Sequence, residues 1–205
     1  MQQNKSLLPN TYQQVKYIES TGTQYIDTGI VPVSTISITT KVQFTVNYAD
    51  AAFMQAMNGC ASDSANTRCV FGYTSFSSDK NFYIGISDKN IFTEVPFDTK
   101  IHTIAINMNG EWSIDGVTKK QIVQTSQANE TFWLFARNYS TNQDSFNNPC
   151  SMRLYNFKAY DNGTLIRDFI PCYRKHDGVI GLYDIVNDVF YTNQRTGTFI
   201  KGGDV

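Results

Sequence analysis

The run Ile36-Ser37-Ile38-Thr39-Thr40-Lys41-Val42-Gln43-Phe44-Thr45-Val46 places Ile36, Ile38, Val42, Phe44 and Val46 on one parity and Ser37, Thr39, Lys41, Gln43 and Thr45 on the other. Successive side chains of a strand point to opposite faces, so this order predicts a long strand with one face in a core and the other wet. Working outward, the same order returns in Lys100–Met108, where Ile104, Ile106 and Met108 oppose Thr103, Ala105 and Asn107. An Asn109-Gly110 pair follows at once, then an apolar run around Trp112–Ile114, an Asp115-Gly116 pair, and Val117–Val123. Asn-Gly and Asp-Gly between alternating runs are hairpin signals, so three consecutive strands are expected to form an antiparallel meander.

Further apolar and aromatic runs stand at Val15–Glu19, Cys69–Tyr73, Phe82–Ile86, Thr131–Ala136 and Met152–Tyr160, and Asp161-Asn162-Gly163 turns the chain into Leu165–Ile170. No apolar stripe of period 3.6 outlasts two turns. Many short strands without helical crossovers predict an all-β, antiparallel sandwich or barrel rather than a parallel α/β sheet.

Composition agrees. Of 205 residues, 41% are hydrophobic and 14% aromatic, while 17% are charged, below the roughly 25% usual for globular chains. Such a chain can bury a core, and its length suits one domain. Residues 1–11 are polar and aperiodic and read as an N-terminal arm, an attachment segment, with residues 12–205 as the domain. Gly59–Arg68, Thr74–Asn81 and Ser140–Pro149 read as long polar loops.

Seventeen Lys and Arg against eighteen Asp and Glu leave a net charge of -1. With no basic face, nucleic acid is not an expected partner. No apolar run nears the roughly 20 residues that span a bilayer, so membrane insertion is not expected either. The opening Met1-Gln2-Gln3-Asn4-Lys5-Ser6-Leu7-Leu8-Pro9 lacks the apolar core of a secretory signal, which leads us to expect a chain that stays in the cytosol where it is made. Cys60, Cys69, Cys150 and Cys172 form no C-x-x-C pair, and His102 and His176 are the only histidines. Zinc-site spacings are therefore missing. Cys60 and Cys69 could flank a hairpin and pair if oxidised, but buried thiols packing as small hydrophobes is the preferred reading.

Two stretches go beyond a generic β pattern: YIESTGTQYIDTG at residues 17–29, and LYNFKAYDNGTLIRDFIPCYRKHDGVIGLYDIVNDVFYTNQRTGTFIKG at residues 154–202. They resemble the opening and closing signatures of laminin-G-like, concanavalin A-like jelly-roll modules of tailed gut-phage virion proteins and gut bacterial surface proteins. The resemblance implies a sandwich of two antiparallel sheets in which the first strands and the closing segment are neighbours. Its aromatics, Tyr25, Tyr155, Phe157, Phe169, Tyr183 and Phe190, are expected to pack sheets rather than stack on a ligand. Asp27, Arg167, Asp168, Arg174, Asp177 and Asp184 are expected to form ion pairs tying the termini together.

Sandwich glucanases set two carboxylates on alternate positions of one strand. The four glutamates here, Glu19, Glu94, Glu111 and Glu130, have no acidic residue two places away. No G-x-S-x-G occurs either, so no catalytic residue is assigned and an enzyme is not expected. Glu111 and Asp115 flank a short strand and are read as solvated strand ends; His102 and His176 are read as structural or solvated. No cofactor or protein-held metal is assigned. The resemblance allows a calcium ion in a rim loop, for which Asp144 with Asn142, Asn147 and Asn148, or Asp63 with Asn66, offer oxygen atoms.

Glycan binding needs an aromatic platform beside amides and charges. The candidate ligand-binding residues are Tyr73, Phe76, Trp112, Arg137, Tyr139 and Asn142. By the resemblance, the chain is expected to be a virion structural protein, in a fibre, tail or capsid surface, whose domain binds a host-surface glycan or another surface protein. Its arm would join other virion proteins, and a homotrimer is favoured by analogy with phage fibres. The alternatives are a structural decoration or adaptor protein without ligand, a carbohydrate-binding protein of a gut bacterial cell surface, and a glycan hydrolase.

Overall fold

The computed structural model describes residues 7–46, 55–61, 68–73, 81–87, 89–120, 129–139 and 146–205. Among these the chain is all strand and turn, without helix. In chain order the strands begin with β1 (Tyr12–Gln14), β2 (Ile18–Thr21), β3 (Ile26–Asp27), β4 (Ile36–Phe44), β5 (Gln55–Ala61) and β6 (Arg68–Tyr73). There follow β7 (Asn81–Ser87), β8 (Lys89–Pro96), β9 (Ile101–Asn107), β10 (Glu111–Ile114), β11 (Val117–Lys120), β12 (Trp133–Leu134) and β13 (Ala136–Tyr139). The last are β14 (Phe146–Asn147), β15 (Ser151–Asp161), β16 (Thr164–Arg174), β17 (Ile180–Asp184), β18 (Val189–Thr192) and β19 (Ile200–Lys201).

They make two sheets. The first has eleven strands along the path β11-β10-β9-β4-β15-β16-β17-β18, with β1, β2 and β19 joined at its side, and the second has eight, built on β14-β13-β5-β6-β7-β8. Pairing is antiparallel except where β13 runs parallel to β5. The two sheets form a jelly-roll-type sandwich around one main core. Phe44 of β4 meets Phe71 of β6 and Phe82 of β7 at ring distances of 6.5 and 5.7 Å, and Phe132 meets Phe157 of β15 at 6.0 Å.

β4 carries out the alternation expected of it, with Ile36, Ile38, Val42 and Phe44 buried and Lys41 exposed between them. β9, β10 and β11 form the expected meander. Asp115 and Gly116 take φ of 51° and 81°, as do Asn162 and Gly163 at 47° and 78°, so both hairpins turn on two left-handed residues whose twist matches the strands. The Asn109-Gly110 hairpin differs from expectation. Asn107 pairs with Glu111, so Met108 belongs to a three-residue loop rather than to the strand. Its side chain is core and its N–H donates to the Ile36 carbonyl, which pulls it out of the ladder.

The ends of the chain are neighbours, as the resemblance implied. β2 lies between β15 and β19, Val15 bridges Asp204, and the Gln24 amide donates to the Thr198 carbonyl at 3.1 Å. The segment expected to be an arm is described from Leu7 onward. There Leu8 is buried with Ile170, Cys172 and Tyr183, and Lys175 N–H donates to the Thr11 carbonyl. Two expected loops contain more than a single strand residue: Gly59–Ala61 belong to β5 and Phe146–Asn147 form β14 against β13, while Asn81 of the third begins β7. In both places polar, Gly- or Asn-containing sequence is held by ladder bonds rather than by apolar alternation, and the sequence pattern does not register those bonds.

Candidate functional site

The outward parity of β4 meets the outward parities of β9, β10 and β11. Register sets Ser37 opposite Asn107, Asn107 opposite Glu111, Thr39 opposite Ala105, Ala105 opposite Ser113, and Ser113 opposite Thr118. Apart from Asn107 and Glu111 these residues are small, and the sheet's surface dips there into a half-open concavity of about 190 Å³ whose lining includes Ser37, Thr39, Asn107, Glu111, Trp112, Ser113 and Thr118. The hydroxyls of Ser37, Thr39, Ser113 and Thr118 and the carboxylate of Glu111 make no hydrogen bond to protein among the described residues.

The same face carries paired groups beyond the concavity. Arg153 Nε donates to Glu19 Oε2 at 2.6 Å, and its guanidinium lies 4.7 Å over the Tyr17 ring. Tyr155 hydroxyl donates to Gln43 Oε1 at 2.9 Å, and Lys158 pairs with Asp168 at 2.9 Å. Polar capacity on this sheet is thus satisfied internally on one side and left open over the concavity.

The residues nominated from sequence do not come together. Trp112 lies on the first sheet, opposite Ile106 and inward between Glu111 and Ser113; at 6% exposure it is a core side chain with its Nε1 buried and unpartnered. Period-2 alternation turns its indole into the sandwich, although Trp112 is among the residues that line the concavity. Arg137 and Tyr139 both stand on β13 of the second sheet. Tyr139 lies opposite Ala61 and Tyr73 opposite Gln55, at opposite ends of β5, about 20 Å apart along the strand at roughly 3.3 Å per residue. Phe76 and Asn142 lie outside the described residues, as do Asp63, Asn66 and Asp144 of the calcium loops; Asn148 is described, with φ of 46°.

Trp133 is buried but lies outside the main cluster. It stacks on Tyr25 at 4.0 Å between ring centroids and 19° between planes. Beside that pair, Asp27 Oδ2 accepts from the Thr131 hydroxyl at 2.9 Å, and Asn138 donates to the Thr131 carbonyl at 3.1 Å.

Asp115 is no idle strand end. Its Oδ2 lies 2.6 Å from His102 Nδ1, while Asp98 Oδ1 lies 2.9 Å from Nε2. The imidazole, 6% exposed, clasps the β10–β11 turn to the segment before β9. Asp98 is partly buried, which raises its pKa, but the Lys100 N–H and His102 outweigh this and hold it below the ordinary carboxylate range. Among the described residues no group of three His, Cys, Asp or Glu could hold a metal. Burial pushes the Cys150 thiol well up and Cys172 to about 12, so both pack as apolar groups.

The ion pairs expected to tie the termini are more local. Arg167 Nε lies 3.6 Å from Asp184, and Arg174 donates to Asp177 at 2.6 Å. Hydrogen bonding from Arg174 lowers Asp177 from 3.8 to about 2. A carboxylate depressed by folding contributes stability above its unfolded pKa and loses it as pH falls through the folded one. Denaturant unfolding at stepped pH should therefore show the parent losing stability faster than Asp177→Asn as pH falls from 3.8 to about 2; equal slopes would mean the pair is not formed in solution.

No family model matches the chain, and no curated protein matches it. What the fold and site define is a β-sandwich with an open, hydrogen-bonding concavity on the outer face of one sheet.

Proposed function

We propose that this chain is a laminin-G-like module of a tailed-phage virion, in a fibre, tail or capsid-surface component, and that it binds a host-surface glycan or another surface protein. The observation that carries the reading is the pairing of the two segments that bear the resemblance: β2, within residues 17–29, is the ladder neighbour of β19, within residues 154–202. The outward concavity of hydroxyls, an amide and a carboxylate supports recognition of a polar surface, and the net charge of -1 gives no reason to invoke an electrostatic partner. In this reading the residues before Leu7 contact other virion proteins and the module assembles as a homotrimer.

The test is immunogold labelling, with mass spectrometry, of phage particles purified from a culture that produces the chain. Label on intact particles is the expected result. Label confined to the bacterial envelope fraction would overturn the virion assignment.

A further inference from the structure

We propose that the concavity over β4, β9, β10 and β11 is a seat for one neutral sugar unit, with Glu111 as its principal acceptor. This deepens the reading of the chain as a surface-binding module and rests on it. Three observations carry the site.

The first is unspent capacity. Ser37, Thr39, Ser113 and Glu111 converge on one hollow without a side-chain hydrogen bond to protein among the described residues, although Gln43, Arg153 and Lys158 on the same face are all engaged. A hydroxyl both donates and accepts and a carboxylate accepts through two oxygens, which is the complement of a ring bearing adjacent hydroxyl groups.

The second is rigidity. Ser37, Thr39 and Asn107 stand on central strands whose ladders are continuous from Ser37↔Asn107 to Gln43↔Ile101. Ile38, Ile106 and Trp112 beneath them are core residues, so the donors and acceptors are held in place before a ligand arrives.

The third is size and charge. A hollow of 190 Å³ lies below the roughly 300 Å³ at which pockets for drug-sized ligands begin, so it takes a single unit rather than enclosing a chain. Lys120 stands directly opposite Glu111 on the neighbouring strand, so the rim carries one charge of each sign and favours neither an acidic nor a basic sugar.

The experiment is an amide-resolved NMR titration of the full chain with glucose, galactose, mannose and N-acetylglucosamine, with glucuronate and glucosamine as charged counterparts. A neutral sugar is expected to shift the amides of Ser37–Thr39, Ala105–Asn107 and Glu111–Ser113 with millimolar affinity. Losing a hydrogen bond to a charged group should weaken binding about tenfold or more in Glu111→Ala. The shape-conserving Thr39→Val should weaken it severalfold, with the rest of the spectrum unchanged as proof of folding. Shifts confined to another surface, such as that of Tyr25 and Trp133, would overturn this seat while leaving a glycan-binding module intact. Silence with every sugar, an undiminished response in Glu111→Ala, or preference for a charged sugar would also overturn it. The particle-labelling result is independent of all of these.

Discussion

Phe44→Ala is expected to remove about 3–5 kcal/mol of folding stability, the range found when a fully buried phenylalanine is truncated. Phe44 is 0% exposed and stands where both sheets and a loop converge, its ring 5.7 Å from Phe82, 6.5 Å from Phe71 and 4.7 Å from Phe97. Phe71 and Phe82 are fixed by the β6–β7 ladder of the facing sheet, so they cannot collapse onto a missing ring without moving that sheet. The cost is therefore the transfer term plus a retained cavity. Urea unfolding measures it: the midpoint should fall steeply with the slope unchanged. Val117→Ala, on an edge strand at 57% exposure, should stay within about 0.5 kcal/mol. A cost under about 1.5 kcal/mol for Phe44→Ala would mean that the sheets are not locked together at this ring.

That ring was legible from sequence because β4 announces itself. Its apolar parity is buried at every position and its polar parity is not, and a face at period 2 needs no knowledge of partners. The hairpins at Asp115-Gly116 and Asn162-Gly163 were legible for a similar local reason, since each turn needs two left-handed residues and these types supply them cheaply. The paired termini were legible only through the resemblance. What stayed hidden is non-local. Phe135 takes φ of 72°, and the chain then runs parallel to β5 as β13; neither the reversal nor its partner leaves a trace in the adjacent residues.

The site was half legible. Ser37 and Thr39 could be assigned to a wet face and β9 beside β10 followed from the expected meander, but nothing in the sequence says that β4 lies beside β9 with Ser37, Asn107 and Glu111 in one row. Looking for aromatic platforms led instead to Trp112, whose alternation with Glu111 and Ser113 sends it into the core. The sequence reads Glu111 as a solvated strand end and not as half of a catalytic pair. Its place opposite Asn107 at the edge of the concavity needed the register.

The buried carboxylate of Asp184 gives the second large effect. It is 0% exposed at the end of β17. Its Oδ1 accepts from the Asp168 and Val186 N–H groups, both at 3.1 Å, and its Oδ2 accepts from Asn187 Nδ2 at 2.7 Å and faces Arg167 Nε at 3.6 Å. Every atom around it is a donor, so Asp184→Asn cannot be accommodated by rotating the amide. With its nitrogen toward Asn187 and Arg167 it opposes two donors, and flipped it opposes two backbone N–H groups. Either orientation leaves buried donors unmet, at roughly 1–3 kcal/mol each, and removes the opposite charge from the Arg167 guanidinium, which keeps its bonds to the Thr28 and Ile166 carbonyls. Arg167 keeps some solvent contact, with 21% of its side chain exposed, so the expected total is about 3 kcal/mol, at the lower end for a broken buried pair. Denaturant unfolding should show this loss, and hydrogen exchange should show Asp168 and Val186 amides losing protection ahead of the β4 ladder. In an Arg167→Met background most of the cost should persist, because the carboxylate's chief work is to close the β17–β18 turn on backbone donors; if the cost vanishes there, the ion pair and not the turn is what Asp184 supports.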